Sequence, residues 1–344
     1  MRNNSCWMLC GLAVAGVCHG ASVAPGATGP SGLSPQAKAS DAAAEHAIIV
    51  AADGSGKFRT VQAAVDSVPD RNHERAVIVI KPGVYKERIT VSQRKPYITF
   101  RGEEAEKTVL TFDCSANKTG PDGKPFGTSG SPSVFINADE FTAEDVTFEN
   151  SSGQGAGQAV AVKITGDRCV FRRCRFLGWQ DTLYAHGNGR QYFKDCYIEG
   201  HCDFIFGNAA AVFENCRICS KASGYVTAQG RDTEDAPTGY VFVNCDLTAT
   251  TDTARVFLGR PWRPYARVVF IGCKMGAHIR PEGWDNWGKA ENEATAWFGE
   301  YNSSGPGANP KARAPWSRQL TKDESEEFDA RSFLARDDGW DPEK

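Results

Sequence analysis

The chain has no meaningful surplus of either charge: Lys+Arg 39 against Asp+Glu 42 leaves a formal charge of −3 across 344 residues. Without a basic excess there is no electrostatic footprint for nucleic acid or for an anionic lipid surface. Long apolar runs are also missing. The longest, Cys6 to Cys18 behind Met1-Arg2-Asn3-Asn4-Ser5, falls short of the roughly 20 residues needed to cross a bilayer. A membrane anchor is thereby disfavoured. Small residues follow at Gly20 and Ala21, which makes residues 1–21 a secretory signal peptide pattern. Neither Cys10 nor Cys18 follows a lipoprotein-like box, so simple secretion is expected, extracellular or, in a Gram-negative host, periplasmic. Residues 22–45 are Ala, Gly, Ser and Pro with few apolar anchors, the composition of a linker. The folded domain is expected over 46–344.

Metal-binding patterns are scarce as well. The sole Cys-x-x-Cys, Cys216 to Cys219, has odd separation on an expected strand, which sends the two side chains to opposite faces, and no matching second pair or His motif follows. The densest acidic stretch near the repeats, Asp232-Thr233-Glu234-Asp235, reads as a solvated loop rather than a calcium cluster. There is no Gly-x-Ser-x-Gly pentapeptide, which removes a serine-nucleophile elbow. Neither a metal nor a cofactor is expected.

What the chain does have is repetition. Nine of its twelve cysteines lie beyond the signal segment, and five of these close one recurring pattern: Val170-Phe171-Arg172-Arg173-Cys174, Tyr192-Phe193-Lys194-Asp195-Cys196, Val212-Phe213-Glu214-Asn215-Cys216, Val241-Phe242-Val243-Asn244-Cys245 and Val269-Phe270-Ile271-Gly272-Cys273. The steps are unequal, two shorter ones to Cys196 and Cys216 and two longer ones to Cys245 and Cys273, and Val146 takes the cysteine slot one turn earlier. Short alternating strands at a spacing too tight for an intervening helix indicate an all-β chain, a parallel β-helix whose rungs stack at about 4.8 Å. The cysteines then form a ladder inside the coil, with in-register neighbours such as Cys196 and Cys216 inside disulfide reach. Thr60 to Val65 reads as a short N-terminal capping helix, Val77 to Ile80 and Ile98 to Phe100 as early strands, and Thr321 with Glu324 as a capping box opening a C-terminal helical tail through Phe328 to Leu334.

The register also locates chemistry. Asp181 follows Cys174 at the same interval at which Asp203 follows Cys196, so one rung step carries the first carboxylate onto the second. Gln158 precedes Gln180 by that same rung step. Two close carboxylates are driven apart in pKa, so one keeps a proton while the other ionises, given a cation to favour the charged one. Arg260 in Leu258-Gly259-Arg260-Pro261-Trp262 is the candidate cation.

At these residues the chain resembles the pectinesterases, the pectin methylesterase family of carbohydrate esterases. The marks are Gly83-Val84-Tyr85-Lys86-Glu87, Gln158-Ala159-Val160-Ala161-Val162, Gly178-Trp179-Gln180-Asp181-Thr182-Leu183, Asp203-Phe204-Ile205-Phe206-Gly207 and Leu258-Gly259-Arg260-Pro261-Trp262, with Val162 where Leu is usual and Trp179 where Tyr is usual. The resemblance implies a right-handed parallel β-helix that hydrolyses C6 methyl esters of galacturonate in homogalacturonan, with pectin as its partner and a monomer as its state. It implies Asp203 as nucleophile, Asp181 as acid and base, Gln158 and Gln180 as oxyanion donors, Arg260 as partner of Asp203, and Trp262 and Phe206 as lining of the sugar groove. Trp284, Trp287 and Trp297 remain open between core and cleft, while Trp316 and Trp340 are expected to pack.

Overall fold

A computed structural model describes residues 47–251 and 254–344. The expected signal peptide and linker lie outside the described residues. From Ala76–Ile80 the chain passes to Gly83–Lys86, to Ile89–Val91 and back to Ile98–Gly102, and this circuit recurs until three sheets of 11, 8 and 7 strands surround one core. Neighbouring strands in all three are parallel, the arrangement of a parallel β-helix. Register pairs Phe171 with Phe193, Phe193 with Phe213, Phe213 with Phe242 and Phe242 with Phe270, so the irregular steps seen in the sequence are whole rungs whose extra residues leave as loops.

Inside the coil these phenylalanines stack with centroids 4.8, 4.7, 4.6 and 4.4 Å apart and planes within 11° of parallel, near the close end of aromatic contact distances. The cysteine ladder is buried beside them, and all nine described cysteines are free thiols. The bridge between Cys196 and Cys216 that the spacing permits is therefore not formed. The five thiols of the repeat instead turn toward the backbone of the preceding rung: for example, Cys196 donates to Phe171 O at 3.5 Å, Cys216 to Phe193 O at 3.5 Å and Cys245 to Phe213 O at 3.3 Å.

The polar residue before each cysteine has a physical reason. Asp145, Arg173, Asp195, Asn215, Asn244 and Gly272 all take φ between 52° and 61°, the left-handed bend that swings the chain from one sheet to the next. Asn, Asp and Gly tolerate this bend. Arg173 does not fit that rule, and its guanidinium is held bidentately by Asp145 one rung earlier, at 2.9 and 2.8 Å.

The helix Val61–Ser67, capped by Thr60, closes the first rung by burying Val61, Ala64 and Val65. The C-terminal tail departs from expectation. The capping box at Thr321 and Glu324 is present, but the helix it opens ends at Glu326, and a second begins at Ala330 because Asp329 accepts from the amides of Arg331 and Ser332. The break lets Phe328, Ala330 and Leu334 all reach the outer apolar face built from Tyr192, Val212, Val241 and Val269. Trp284 stacks on Phe298 in the core, Trp297 packs on Phe328, Trp316 meets Phe298, and Trp340 lies under Arg190.

Candidate active site

The corner entering the seven-stranded sheet carries the polar residues. Isolated bridges join Gln158 to Gln180 and Gln180 to Cys202, so Asp181 and Asp203, the next residues along, stand one rung apart. Both adopt positive φ, 64° and 49°, the left-handed bend that Asp tolerates better than most residues. Both are only 7% exposed.

Arg260 reaches this corner from farther along the coil. The outward column of the seven-stranded sheet reads Lys163, Tyr184, Phe206, Ala228 and Arg260. Its Nε donates to Asp203 Oδ1 at 2.9 Å and its Nη2 to Oδ2 at 2.6 Å, a planar fork that aims the carboxylate as well as pairing it. The guanidinium lies over the rings of Tyr225 at 3.8 Å and Trp287 at 3.7 Å, so aromatic faces fix its orientation.

These groups line a cleft of about 300 Å³ that holds all seven residues singled out from the sequence: Gln158, Gln180, Asp181, Asp203, Phe206, Arg260 and Trp262. Phe206 stacks on Tyr184 at 4.1 Å, and Trp262 leans toward both rings at 6.1 and 6.5 Å. Gly230 makes room for Trp262, since a Cβ there would sit 2.8 Å from the indole Cε3. Thr128, Ser129, Tyr184, Ala228 and Trp287 also line the cleft. Of these, Tyr184 carries a usable signal: it lies one rung step before Phe206. Trp287 is one of the tryptophans the sequence leaves open, and Thr128 and Ser129 come from a helical turn, Gly127–Gly130, with no periodic mark. Val162 and Trp179, the two motif departures, are not among the lining residues; Val162 is in the core.

Burial pushes the Asp181 carboxyl well above the usual range, and the Asp203 charge pushes it further, with Arg260 opposing. Asp203 is also raised by burial, but the Arg260 hydrogen bonds and charge pull it back. The two environments therefore separate a protonated Asp181 from an ionisable Asp203. Cys202, which precedes Asp203 and pairs with Gln180 one rung earlier, is pushed up to about 12, by burial first and by Asp203 second, and is a poor nucleophile. Among the described residues no cluster of His, Cys, Asp and Glu is arranged to hold a metal ion.

A cleft with one carboxylate clamped by a guanidinium, a second kept neutral and two amides beside them is equipped for acyl transfer from an ester. The family model for pectinesterase matches residues 47–338. The chain belongs to the pectinesterase family. It is thus a carboxylic ester hydrolase. It is 49% identical over 289 residues to Pectinesterase 31 of Arabidopsis thaliana, covering 83% of this chain and 91% of that protein. To Pectinesterase QRT1 of the same plant it is 45% identical over 298 residues, covering 84% and 77%. The solved pectin methylesterase from carrot superposes with a TM-score of 0.78 at 37% identity, covering 83% of this chain and 92% of that one. Pectin methylesterase PemA from Erwinia chrysanthemi gives 0.75 at 31%, covering 86% and 98%. These pectinesterase likenesses extend over the whole coil.

Proposed function

We propose that this protein hydrolyses the C6 methyl esters of galacturonate units in homogalacturonan, releasing methanol, with Asp203 as nucleophile and Asp181 as acid and base. A carboxylate oxygen of Asp203 attacks the ester carbonyl carbon, and the electron pair moves to the carbonyl oxygen. The amides of Gln158 and Gln180 stabilise that oxyanion, the contribution that is usually largest in acyl transfer. As the carbonyl re-forms, the bond to methoxide breaks and Asp181 gives its proton to the departing oxygen, leaving an anhydride between substrate and Asp203. Asp181, now ionised, takes a proton from water as its oxygen attacks the same carbonyl. The bond to Asp203 then breaks, the carboxylate returns to Arg260, and the product acid loses its remaining proton to solvent.

The observation that carries this reading is the two-point pairing of Arg260 with Asp203 beside a buried, proton-retaining Asp181. A relative at 31% identity has been solved in complex with a hexasaccharide, which supports an oligosaccharide in the equivalent groove, with Phe206 and Trp262 as its apolar floor. The protein is read as a secreted monomer that needs neither metal nor cofactor; no described helix is long and apolar enough to cross a membrane. The test is one assay on highly methylated pectin that follows methanol, chain length and unsaturated ends together, with and without chelator. Methanol alone, unaffected by chelator on short soluble substrates, supports the reading; chain cleavage or unsaturated ends overturns it.

A further inference from the structure

Trp262 enters the cleft from a short loop, residues 262–266, between the strands Val256–Pro261 and Arg267–Ile271. One residue of the preceding rung holds both ends of that loop. Gln229 closes the strand Gly224–Gln229 and lies in register with Pro261. Its backbone carbonyl accepts from the Trp262 amide at 3.0 Å, and its side-chain Oε1 accepts from the Arg267 amide at 2.9 Å. The same Oε1 accepts from the Arg231 amide at 3.0 Å, and the Arg231 carbonyl in turn accepts from the Tyr265 amide at 3.2 Å. The middle of the loop is thus tied to the anchor that holds its ends.

Ala228 lines the cleft, whereas Gln229, the next residue along the strand, is fully buried. The alternation of a strand turns its side chain away from any bound chain. Its Nε2 is buried and has no partner among the described residues, which carries a desolvation cost and leaves the carbonyl oxygen as the working end of the amide. Gly230, which makes room for the indole, follows directly. We infer that Gln229 is a positioning residue: it fixes the reach of Trp262 into the cleft and so sets how tightly the uronate chain is held over Asp203. This deepens the esterase reading and rests on it. Without Oε1 the amides of Arg231 and Arg267 lose their acceptor and the loop gains freedom to withdraw the indole. A bound chain must then order the loop again, a cost that falls on binding rather than on bond breaking.

The experiment measures kcat and KM for methanol release from methyl-esterified oligogalacturonides, with folding checked by circular dichroism, for the wild type, Gln229→Met, Gln229→Glu, Trp262→Ala and Gln229→Met/Trp262→Ala. Gln229→Met keeps the length but not the acceptor, and should raise KM about three- to tenfold with kcat within about twofold of wild type. Gln229→Glu should stay close to wild type, because in either protonation state it keeps an oxygen for both amides and alters only the unpartnered nitrogen. On top of Trp262→Ala, Gln229→Met should add nothing, since both act on KM through one indole. An unchanged KM in folded Gln229→Met, an equal loss in Gln229→Glu, or the full penalty repeated on top of Trp262→Ala overturns the assignment while leaving the esterase standing. Absence of methanol with wild-type protein overturns the esterase and this inference together. Gln229→Asn, too short to serve both amides, takes the place of Gln229→Met should that variant fold poorly.

Discussion

Two columns of this coil are made by the same operation, translation by one rung, with opposite energetic outcomes. Inside, the operation stacks Phe171, Phe193, Phe213, Phe242 and Phe270, neutral rings for which each repeat adds buried apolar area and ring contact. At the corner it stacks Asp181 under Asp203, where each repeat adds a desolvated carboxyl and a repulsion. The core column is stable as it stands. The corner column is not, and the protein completes it with a cation brought from Arg260 and with one proton retained. On the proposed mechanism, reactivity lies where the repeat is least favourable to the fold, and stability where it is most favourable.

The largest effect that can break this contrast is at the corner. Asp203→Ala should abolish methanol release, since covalent catalysis has no substitute. Asp181→Ala should lose about 100- to 10,000-fold, the usual cost of removing general acid–base help. The double variant should be little worse than Asp203→Ala alone because the two act as a unit. Normal turnover by folded Asp203→Ala would remove the corner from the chemistry altogether. Arg260→Lys comes next: it keeps the charge but loses the fork and the fit over Tyr225 and Trp287, and kcat should fall on the order of 100-fold with the protein still folded by circular dichroism.

Proton occupancy sharpens the comparison. Activity should rise with pH as Asp203 ionises and fall again as Asp181 loses its proton, a bell whose upper limb moves in Asp181 variants. Stability follows the same groups. A carboxyl whose folded pKa lies above its unfolded value favours the folded state at low pH, and that advantage is lost as pH rises from the unfolded value through the folded one. Asp181→Asn, a neutral mimic, should therefore raise Tm at neutral pH by an amount worth about 1 kcal/mol or more. The gain should shrink as the pH is lowered toward the ordinary carboxylate range. A variant that is less stable than wild type at neutral pH would show that the buried carboxyl is not under strain.

The smallest effect belongs to the core. Cys245→Ala should lower unfolding free energy by roughly 1 kcal/mol, through lost sulfur contacts and a small cavity, with kcat unchanged. Denaturant melts and turnover of the same preparation check this. Full stability with lost turnover would reverse the roles of the two columns.

The register is legible because it is written in identical steps: one and the same interval separates Gln158 from Gln180, Asp181 from Asp203 and Phe171 from Phe193, so the coil and its aspartate corner follow from a single period. Features that depend on side chains meeting across unequal loops are not legible. Trp287 reaches Arg260 from an irregular segment, and Ser129 and Thr128 arrive on a single helical turn, neither of which leaves a period. The tail helix reads as continuous because its capping box is local, whereas its break at Phe328 and Asp329 is set by the apolar face it must cover. Disulfide reach is a matter of rung spacing, but the direction of each thiol, toward a carbonyl below, is set by the bend before it.

The folded coil shields that column of thiols from oxidation. Thiolate is the species that oxidants and disulfides attack, and burial holds Cys174, Cys196, Cys216 and Cys245 far toward the protonated form. In an oxidising medium the protection lasts as long as the rungs stay closed. An opened chain would expose cysteines set a whole rung apart along the ladder, with intervening loops of ample length to join in many wrong pairings. If the chain is secreted as proposed, winding must outpace oxidation during biogenesis, and heat inactivation should become irreversible through mispaired sulfur unless a reductant is present.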